Sequence, residues 1–395
     1  MNMDKKTLHK GVYRILRIAI RPYIWFKYRF KTDRLPKMEE PYLLLSNHTT
    51  EEDMLFTAAA SRRHMYFVCG EHLLRNKLYG KPLRILVNPV PVPKGGTTVN
   101  AVREIINRIR DGHNICMFPE GKRSFHGETI PSAVSLGKLV KLAGCALVTY
   151  RIRGGYFTYP RWARRHHRRG HVEGKVVGVY SSSQLKDMSA REITEIINRD
   201  TYENAYETQR LERWTYKGNA LAKGIEYVLF ICPRCGTMDS IQTEGDRFFC
   251  SACGMSGRYD KYGFLKGDGL PFDNVLSWMR WIEREFDSFI LKHDSEEPLF
   301  TEENVLLYRM LDDYQNEDIE TASLRVFRNR MVLGDSGNEF PFDEIPYLSI
   351  LYGNILLFTY QGNYYGLTGD AFRAWKCGRL WHLFKGDTGD RTKEL

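Results

Sequence analysis

Residues 42–53 read YLLLSNHTTEED. The run from Tyr42 to Ser46 is short and almost wholly apolar, as a strand buried on both faces of a sheet is. It leads straight into Asn47 and His48, with a carboxylate at Asp53. Positions five apart do not share a face of a continuous helix. His48 and Asp53 can therefore meet only if the histidine sits at a strand-to-helix turn and the aspartate lies inside the following helix. Asp53 then holds one imidazole N–H, and the other ring nitrogen is left to accept a proton. The plain alternative is a loop histidine with nearby carboxylates that cap a helix.

Working outward, strand-like runs recur at 65–69 (MYFVC), 114–118 (NICMF), 146–152 (ALVTYRI) and 175–180 (KVVGVY). Helical patterns lie between them near 71–86, 98–111 and 132–143. Alternation of this kind predicts an α/β sheet flanked by helices, over residues 41–225. A further helix is expected over 189–208, led by Ser189 with Glu192 three residues on, the pattern of a capping box.

A second motif follows the strand NICMF: Phe118-Pro119-Glu120-Gly121-Lys122-Arg123-Ser124. Pro119 and Gly121 break the strand, and Gly121 permits close backbone approach. Arg123 offers a planar fork suited to phosphate. A turn carrying solvated charges is the alternative.

Taken together, NHxxxxD at 47–53 and FPEGxRS at 118–124 resemble the PlsC-type glycerolipid acyltransferase family. Glu71-His72-Leu73-Leu74 through Tyr79-Gly80 resembles the family segment after the second strand. Pro91-Val92-Pro93-Lys94 resembles a block that in the family usually ends in arginine; lysine keeps the charge and loses the bidentate fork. Cys145–Tyr150 stands where the family usually carries a proline. The resemblance spans roughly residues 8 to 210.

The resemblance implies a mechanism. His48 acts as general base on an acceptor hydroxyl and Asp53 orients it. The activated oxygen attacks the thioester of acyl-CoA or acyl carrier protein. Asn47, Lys94, Glu120, Gly121 and Arg123 bind the substrate, chiefly the acceptor's phosphate. No covalent acyl-enzyme is required and no catalytic metal is suggested, so Ser124 and Cys116 are poor nucleophile candidates. The implied acceptor is 1-acylglycerol-3-phosphate, giving phosphatidic acid, or else another lysophospholipid or glycerol-3-phosphate.

The flanking segments bear on partners. In LHKGVYRILRIAIRPYIWFKYRF (8–30), Lys10, Arg14, Arg17 and Arg21 form one helical stripe, and Val12, Ile15, Leu16, Ala19, Ile20 and Tyr23 cover another face. A basic amphipathic helix ending in aromatics suits an interfacial anchor, and residues 1–40 are assigned to it. The alternative is a helix packed on the core with a solvated basic face. Residues 151–171, RIRGGYFTYPRWARRHHRRGH, interleave Arg and His with aromatics. They suit lipid headgroups or the donor's phosphates, RNA by base stacking, or a solvated loop; the acyltransferase motifs favour the first.

Cys232-Pro-Arg-Cys235 and Cys250-Ser-Ala-Cys253, each followed by glycine, resemble a zinc ribbon over 226–260. Four thiolates make a closed structural site, and the 14-residue spacer is one short of the usual range. A redox CxxC would need a βαβ setting and only one pair. From Asn304 to Tyr365 strand-like runs recur, followed by the helical segment AFRAWKCGRLWHLF. Residues 272–395 are thus expected as a small β-rich α+β domain whose element order resembles a PH-like fold, from which no lipid binding follows.

The net charge of +10 is uneven. Residues 271–395 hold 13 Lys/Arg and 22 Asp/Glu, so the excess of positive charge lies wholly in the front of the chain. That suits an anionic membrane surface. The remaining cysteines, Cys69, Cys116, Cys145 and Cys377, mostly sit in apolar runs and suit a reducing compartment. With no run of about 18 apolar residues and no signal-peptide core, a cytoplasmic protein peripheral on the inner face of the cell membrane is expected. The non-enzyme alternative is a nucleic-acid-binding zinc-ribbon protein. It is disfavoured because His48, Asp53 and Arg123, which a degenerate enzyme would tend to lose, are all present.

Overall fold

The computed structural model describes residues 5–74, 80–92, 99–163, 166–293, 296–311, 315–334 and 337–386. Within them the chain forms two compact units. One comprises the residues up to Tyr159 with Arg169–Tyr216. The other comprises Pro160–Arg168 and the residues from Lys217 onward.

The first unit is built on a seven-stranded sheet: β1 (Lys31–Thr32), β2 (Tyr42–Ser46), β3 (Met65–Gly70), β4 (Val90–Val92), β5 (Asn114–Met117), β6 (Ala146–Arg153) and β7 (Glu173–Tyr180). Their order is β1-β7-β6-β2-β5-β3-β4. β2 lies between β5 and β6 and is parallel to both. Leu43 and Leu45 face one side of the sheet and Tyr42 and Leu44 the other, all fully buried. Each such side chain contributes roughly 1.5–3 kcal/mol of burial, so the register of β2 is strongly specified.

Helices cover both faces. On one lie α1 (Lys5–Tyr28) and α2 (Asp53–Ala60), through Ile24, Tyr28, Phe56 and the alanines at 58–60. On the other lie helices Val99–Arg110, Val134–Ala143 and Ala190–Thr201, through Ile105, Leu139 and Ile193. Ser189 caps the last of these in a complete capping box with Glu192, worth about 1 kcal/mol. The helix expected over 189–208 breaks after Thr201 and restarts at Ala205, because Asn204 caps a new helix by accepting from the N–H groups of Tyr206 and Glu207. Of the helix expected near 71–86, Glu71–Leu74 and Gly80–Pro82 are helical among the described residues, and a π-turn follows over Leu83–Val87.

α1 carries two apolar faces. Tyr13, Ile20, Ile24 and Tyr28 pack on the core. Ile15, Ile18, Trp25 and Phe26 point outward, Trp25 and Phe26 each 68 % exposed. The expected apolar face thus divides: Ile20 goes inward, while Ile15, Leu16 and Tyr23 stay exposed. Among the described residues no helix is long and apolar enough to cross a membrane.

The second unit holds two sheets. The four-stranded one comprises β8 (Ile241–Glu244), β9 (Arg247–Cys250), β10 (Ser256–Tyr259) and β11 (Leu265–Lys266), in the order β11-β10-β9-β8. The seven-stranded antiparallel one comprises β12 (Phe300–Met310), β13 (Asn316–Val326), β14 (Arg330–Leu333), β15 (Asn338–Pro341), β16 (Tyr347–Leu351), β17 (Ile355–Tyr360) and β18 (Asn363–Thr368). Its order is β15-β14-β13-β12-β18-β17-β16, with helix Ala374–Phe384 against β16 and β17. β15, reading NEFP, has no strand signature and exists by pairing with β14.

Residues 217–225 fold with the second unit rather than the first, because the N–H groups of Leu221 and Ala222 bond to Asp246 and Gly245 at the β8–β9 turn. Among its described residues the basic run 151–171 is only partly exposed. Tyr156, Phe157, Tyr159 and Trp162 are core residues. Arg168, 1 % exposed, donates to the Leu221 carbonyl and stacks on Trp162 and Tyr259. Its guanidinium is engaged by a carbonyl and two ring faces.

Candidate active site and a four-cysteine cluster

β2 delivers His48 to one end of the sheet and the turn that follows captures it. Asn47, buried, donates to the carbonyl of Ile152 at 2.8 Å and accepts from its N–H at 2.7 Å, fastening the end of β2 to β6. Asp53 is the first residue of α2 and fully buried. Its carboxylate accepts from His48 Nδ1 at 2.8 Å, from the N–H groups of Thr49 and Thr50 at 2.5 and 3.0 Å, and from Thr49 Oγ1 at 2.8 Å. The start of α2 adds its dipole to these donors. A carboxylate only accepts, so Nδ1 carries the proton and Nε2 presents a lone pair.

Nε2 has no hydrogen-bond partner among the described residues, and a quarter of the His48 side chain is exposed. The ring stacks on Phe118 at 4.8 Å, which limits its rotation. The dyad is thus a held base with one open nitrogen, suited to taking a proton from a hydroxyl.

The second motif closes on the first. Glu120, buried, accepts from the backbone N–H of His48 at 2.6 Å and of Ile130 at 3.0 Å. Arg123 donates to Glu51 at 2.9 Å and to the Tyr159 carbonyl at 3.3 Å. Gly121 adopts φ +66°, and an added Cβ would meet nothing within 4 Å. That left-handed turn favours glycine. Lys94 lies outside the described residues. Cys116 is buried against Thr57 Oγ1, and burial pushes its thiol up to about 12, so it offers no thiolate.

The structure brings together His48, Asp53, Asn47, Glu120, Gly121 and Arg123. Sequence reasoning missed Glu51, the carboxylate that engages Arg123, and the threonine pair that fixes Asp53. Their positions inside the first motif were the available signal; their partners were not.

In the second unit the Sγ atoms of Cys232, Cys235, Cys250 and Cys253 all lie within 4.8 Å of one another. Cys232–Cys253 and Cys235–Cys250 are 3.7 and 3.8 Å apart. A tetrahedral site with metal–sulfur bonds near 2.3 Å has edges of about 3.8 Å, so this cluster could hold one metal ion. Two matching turns set it up: Gly236 N–H bonds back to the Cys232 carbonyl and Gly254 N–H to that of Cys250, both glycines at positive φ.

A helix-flanked α/β sheet presenting a His–Asp base beside an arginine defines a class, and comparison with known proteins agrees with it. Residues 27–153 match the Acyltransferase family model. The protein is an O-acyltransferase, and this segment is its acyltransferase domain. A curated relative, the 1-acyl-sn-glycerol-3-phosphate acyltransferase of Streptococcus pneumoniae, is 23 % identical over 222 residues, 54 % of this chain and 80 % of that protein. The crystal structure of the 1-acyl-sn-glycerophosphate (LPA) acyltransferase PlsC from Thermotoga maritima is 19 % identical, covering 53 % of this chain and 81 % of that one, with a TM-score of 0.42.

Proposed function

We propose that the protein moves a fatty acyl group from an acyl thioester, acyl-CoA or acyl carrier protein, to the free hydroxyl of 1-acylglycerol-3-phosphate and so makes phosphatidic acid. The observation that carries this reading is the 2.8 Å bond from His48 Nδ1 to Asp53, which leaves Nε2 open. The name of the pneumococcal relative supports the choice of acceptor.

Nε2 takes the acceptor's hydroxyl proton as that oxygen attacks the thioester carbonyl. The tetrahedral intermediate collapses with cleavage of the C–S bond. The imidazolium returns its proton to the departing thiolate, leaving an ester and a free thiol. Asp53 stabilises the imidazolium throughout. Arg123 exchanges Glu51 for the acceptor's phosphate, with Lys94 as the second cation. Glu120 holds the two motifs in register through the His48 N–H, and Asn47 fastens the end of β2 to β6.

The reaction takes place at an anionic membrane surface on the cytoplasmic side. The outward face of α1, with Trp25, Phe26, Ile15 and Ile18, inserts among headgroups while Arg14 and Arg21 contact anionic lipid. The four cysteines bind structural zinc, whose preference for tetrahedral thiolate matches the sulfur spacing. Residues 226–260 then form a zinc ribbon, and residues 272–395 a PH-like module of seven strands with helix Val275–Lys292 before them and helix Ala374–Phe384 after them.

Incubating the full chain with acyl-CoA or acyl carrier protein and a panel of lysophospholipids and glycerol-3-phosphate, with products read by mass spectrometry, tests the reaction. Phosphatidic acid from 1-acylglycerol-3-phosphate is the expected product. Turnover only with a different acceptor would reassign the substrate. No turnover with any acceptor would refute the reading.

A further inference from the structure

A cavity of about 410 Å³ lies at the end of the first unit's sheet opposite His48. Pro41 precedes β2, His113 precedes β5 and His64 precedes β3, and all three line it. β2, β5 and β3 are adjacent and parallel. His48 follows the far end of β2, about 16 Å away for five residues of strand. The cavity is therefore separate from the catalytic turn.

Its walls are cationic. α1 supplies Lys10, Arg14 and Arg17, and the α2–β3 connection supplies Arg62 and Arg63. Two carboxylates, Glu39 and Asp111, share the lining. None of the five cations is ion-paired among the described residues: Arg17 donates to the Ser61 carbonyl and Arg63 to that of Met38. His64 Nδ1 is buried there with no hydrogen-bond partner among the described residues. Five cations from two segments against two carboxylates, a surplus of positive charge converging on a space of ligand size, make a site for a compact multiply charged anion.

We propose that this cavity is a second, non-catalytic binding site for a phosphomonoester group. A monoester carries nearly two negative charges at neutral pH and accepts forked hydrogen bonds from guanidinium groups. A phosphodiester carries one charge and fits the surplus of cations less well. Because α1 both lines the cavity and exposes its apolar face, the group can arrive as a lipid headgroup or as a soluble phosphate ester. The site stands on its own lining and does not depend on the reaction proposed above.

Calorimetric titration of the full chain with inorganic phosphate tests it, alongside binding to phosphatidylcholine vesicles doped with phosphatidate or, at matched charge, with phosphatidylglycerol. Saturable phosphate binding is expected. It should weaken by at least about tenfold in Arg62→Ala, the scale of losing one charged hydrogen bond, and recover in Arg62→Lys. It should survive Arg21→Ala, an equal charge loss on α1 outside the cavity, and a saturable component should remain in Arg123→Ala, which removes only phosphate held at the catalytic turn. A preference for phosphatidate vesicles that vanishes in Arg62→Ala identifies a lipid headgroup; phosphate binding without that preference identifies a soluble ester. Absence of saturable binding, equal losses in Arg21→Ala and Arg62→Ala, or loss in Arg123→Ala alone would overturn the proposal. The last outcome would place the phosphate at the catalytic turn and leave the acyl-transfer reading intact.

Discussion

His48 is useful because every neighbour restricts it. Asp53 holds Nδ1, Phe118 covers one ring face and Glu120 holds its backbone N–H. His48→Ala should therefore keep the fold and lose about 10²- to 10⁴-fold in acyl transfer, the usual worth of a positioned base; steady-state rates with folding checked by circular dichroism measure this. Asp53→Asn should be worse for stability than for shape. The amide replaces one accepting oxygen by a donor facing the Thr49 and Thr50 N–H groups, and it favours the wrong imidazole tautomer. Glu51→Gln should act differently. It weakens a half-exposed carboxylate's hold on Arg123, so the acceptor's phosphate meets less competition. A severalfold fall in KM for a phosphate-bearing acceptor with kcat unchanged is expected, and a rise in KM would sink the exchange of Glu51 for phosphate.

At the scale of elements, α1 and the cysteine turns each make a separate prediction. α1 uses one apolar face for the core and leaves another outside, so replacing Trp25 and Phe26 by alanine removes exposed area without emptying the core. Co-sedimentation with anionic vesicles should fall by at least about tenfold, as the loss of two interfacial aromatics implies, while the melting temperature holds. Unchanged sedimentation would assign the outer face to something other than lipid. The cysteine turns bring four sulfurs to tetrahedral spacing. Elemental analysis should find about one zinc per chain, and none after Cys232→Ser with Cys250→Ser.

At the scale of the molecule, the second unit is tied together by a buried cation. Lys376, 0 % exposed, pairs with Asp239 at 2.7 Å and Glu302 at 2.6 Å. Asp239 lies between the two cysteine turns, Glu302 in β12 and Lys376 in the C-terminal helix. Burial pushes the Glu302 carboxyl up and Lys376 draws it back. Lys376→Met leaves that carboxylate buried without its partner and should cost about 3–5 kcal/mol, read as a lower urea midpoint. Because Asp239 also belongs to this network, metal removal should raise hydrogen exchange in β12 and in helix Ala374–Phe384 while the sheet around His48 keeps its protection. Exchange rising only next to the cysteines would show that the network does not transmit the loss.

By itself the sequence determined the α/β class, the strands that carry the site, the His48–Asp53 pairing and the cysteine quartet. Each is encoded locally, in a run of a few residues whose periodicity or spacing favours that arrangement over its plain alternative. Only the tertiary structure decided that Arg123 engages Glu51, that Glu120 clamps His48, and that the aromatics of 156–162 are core. It likewise decided that Lys10, Arg14 and Arg17 of α1 line a cavity with Arg62 and Arg63. These depend on which residues meet across a sheet or between distant segments, and burial or ion pairing is a property of the partner as much as of the residue itself.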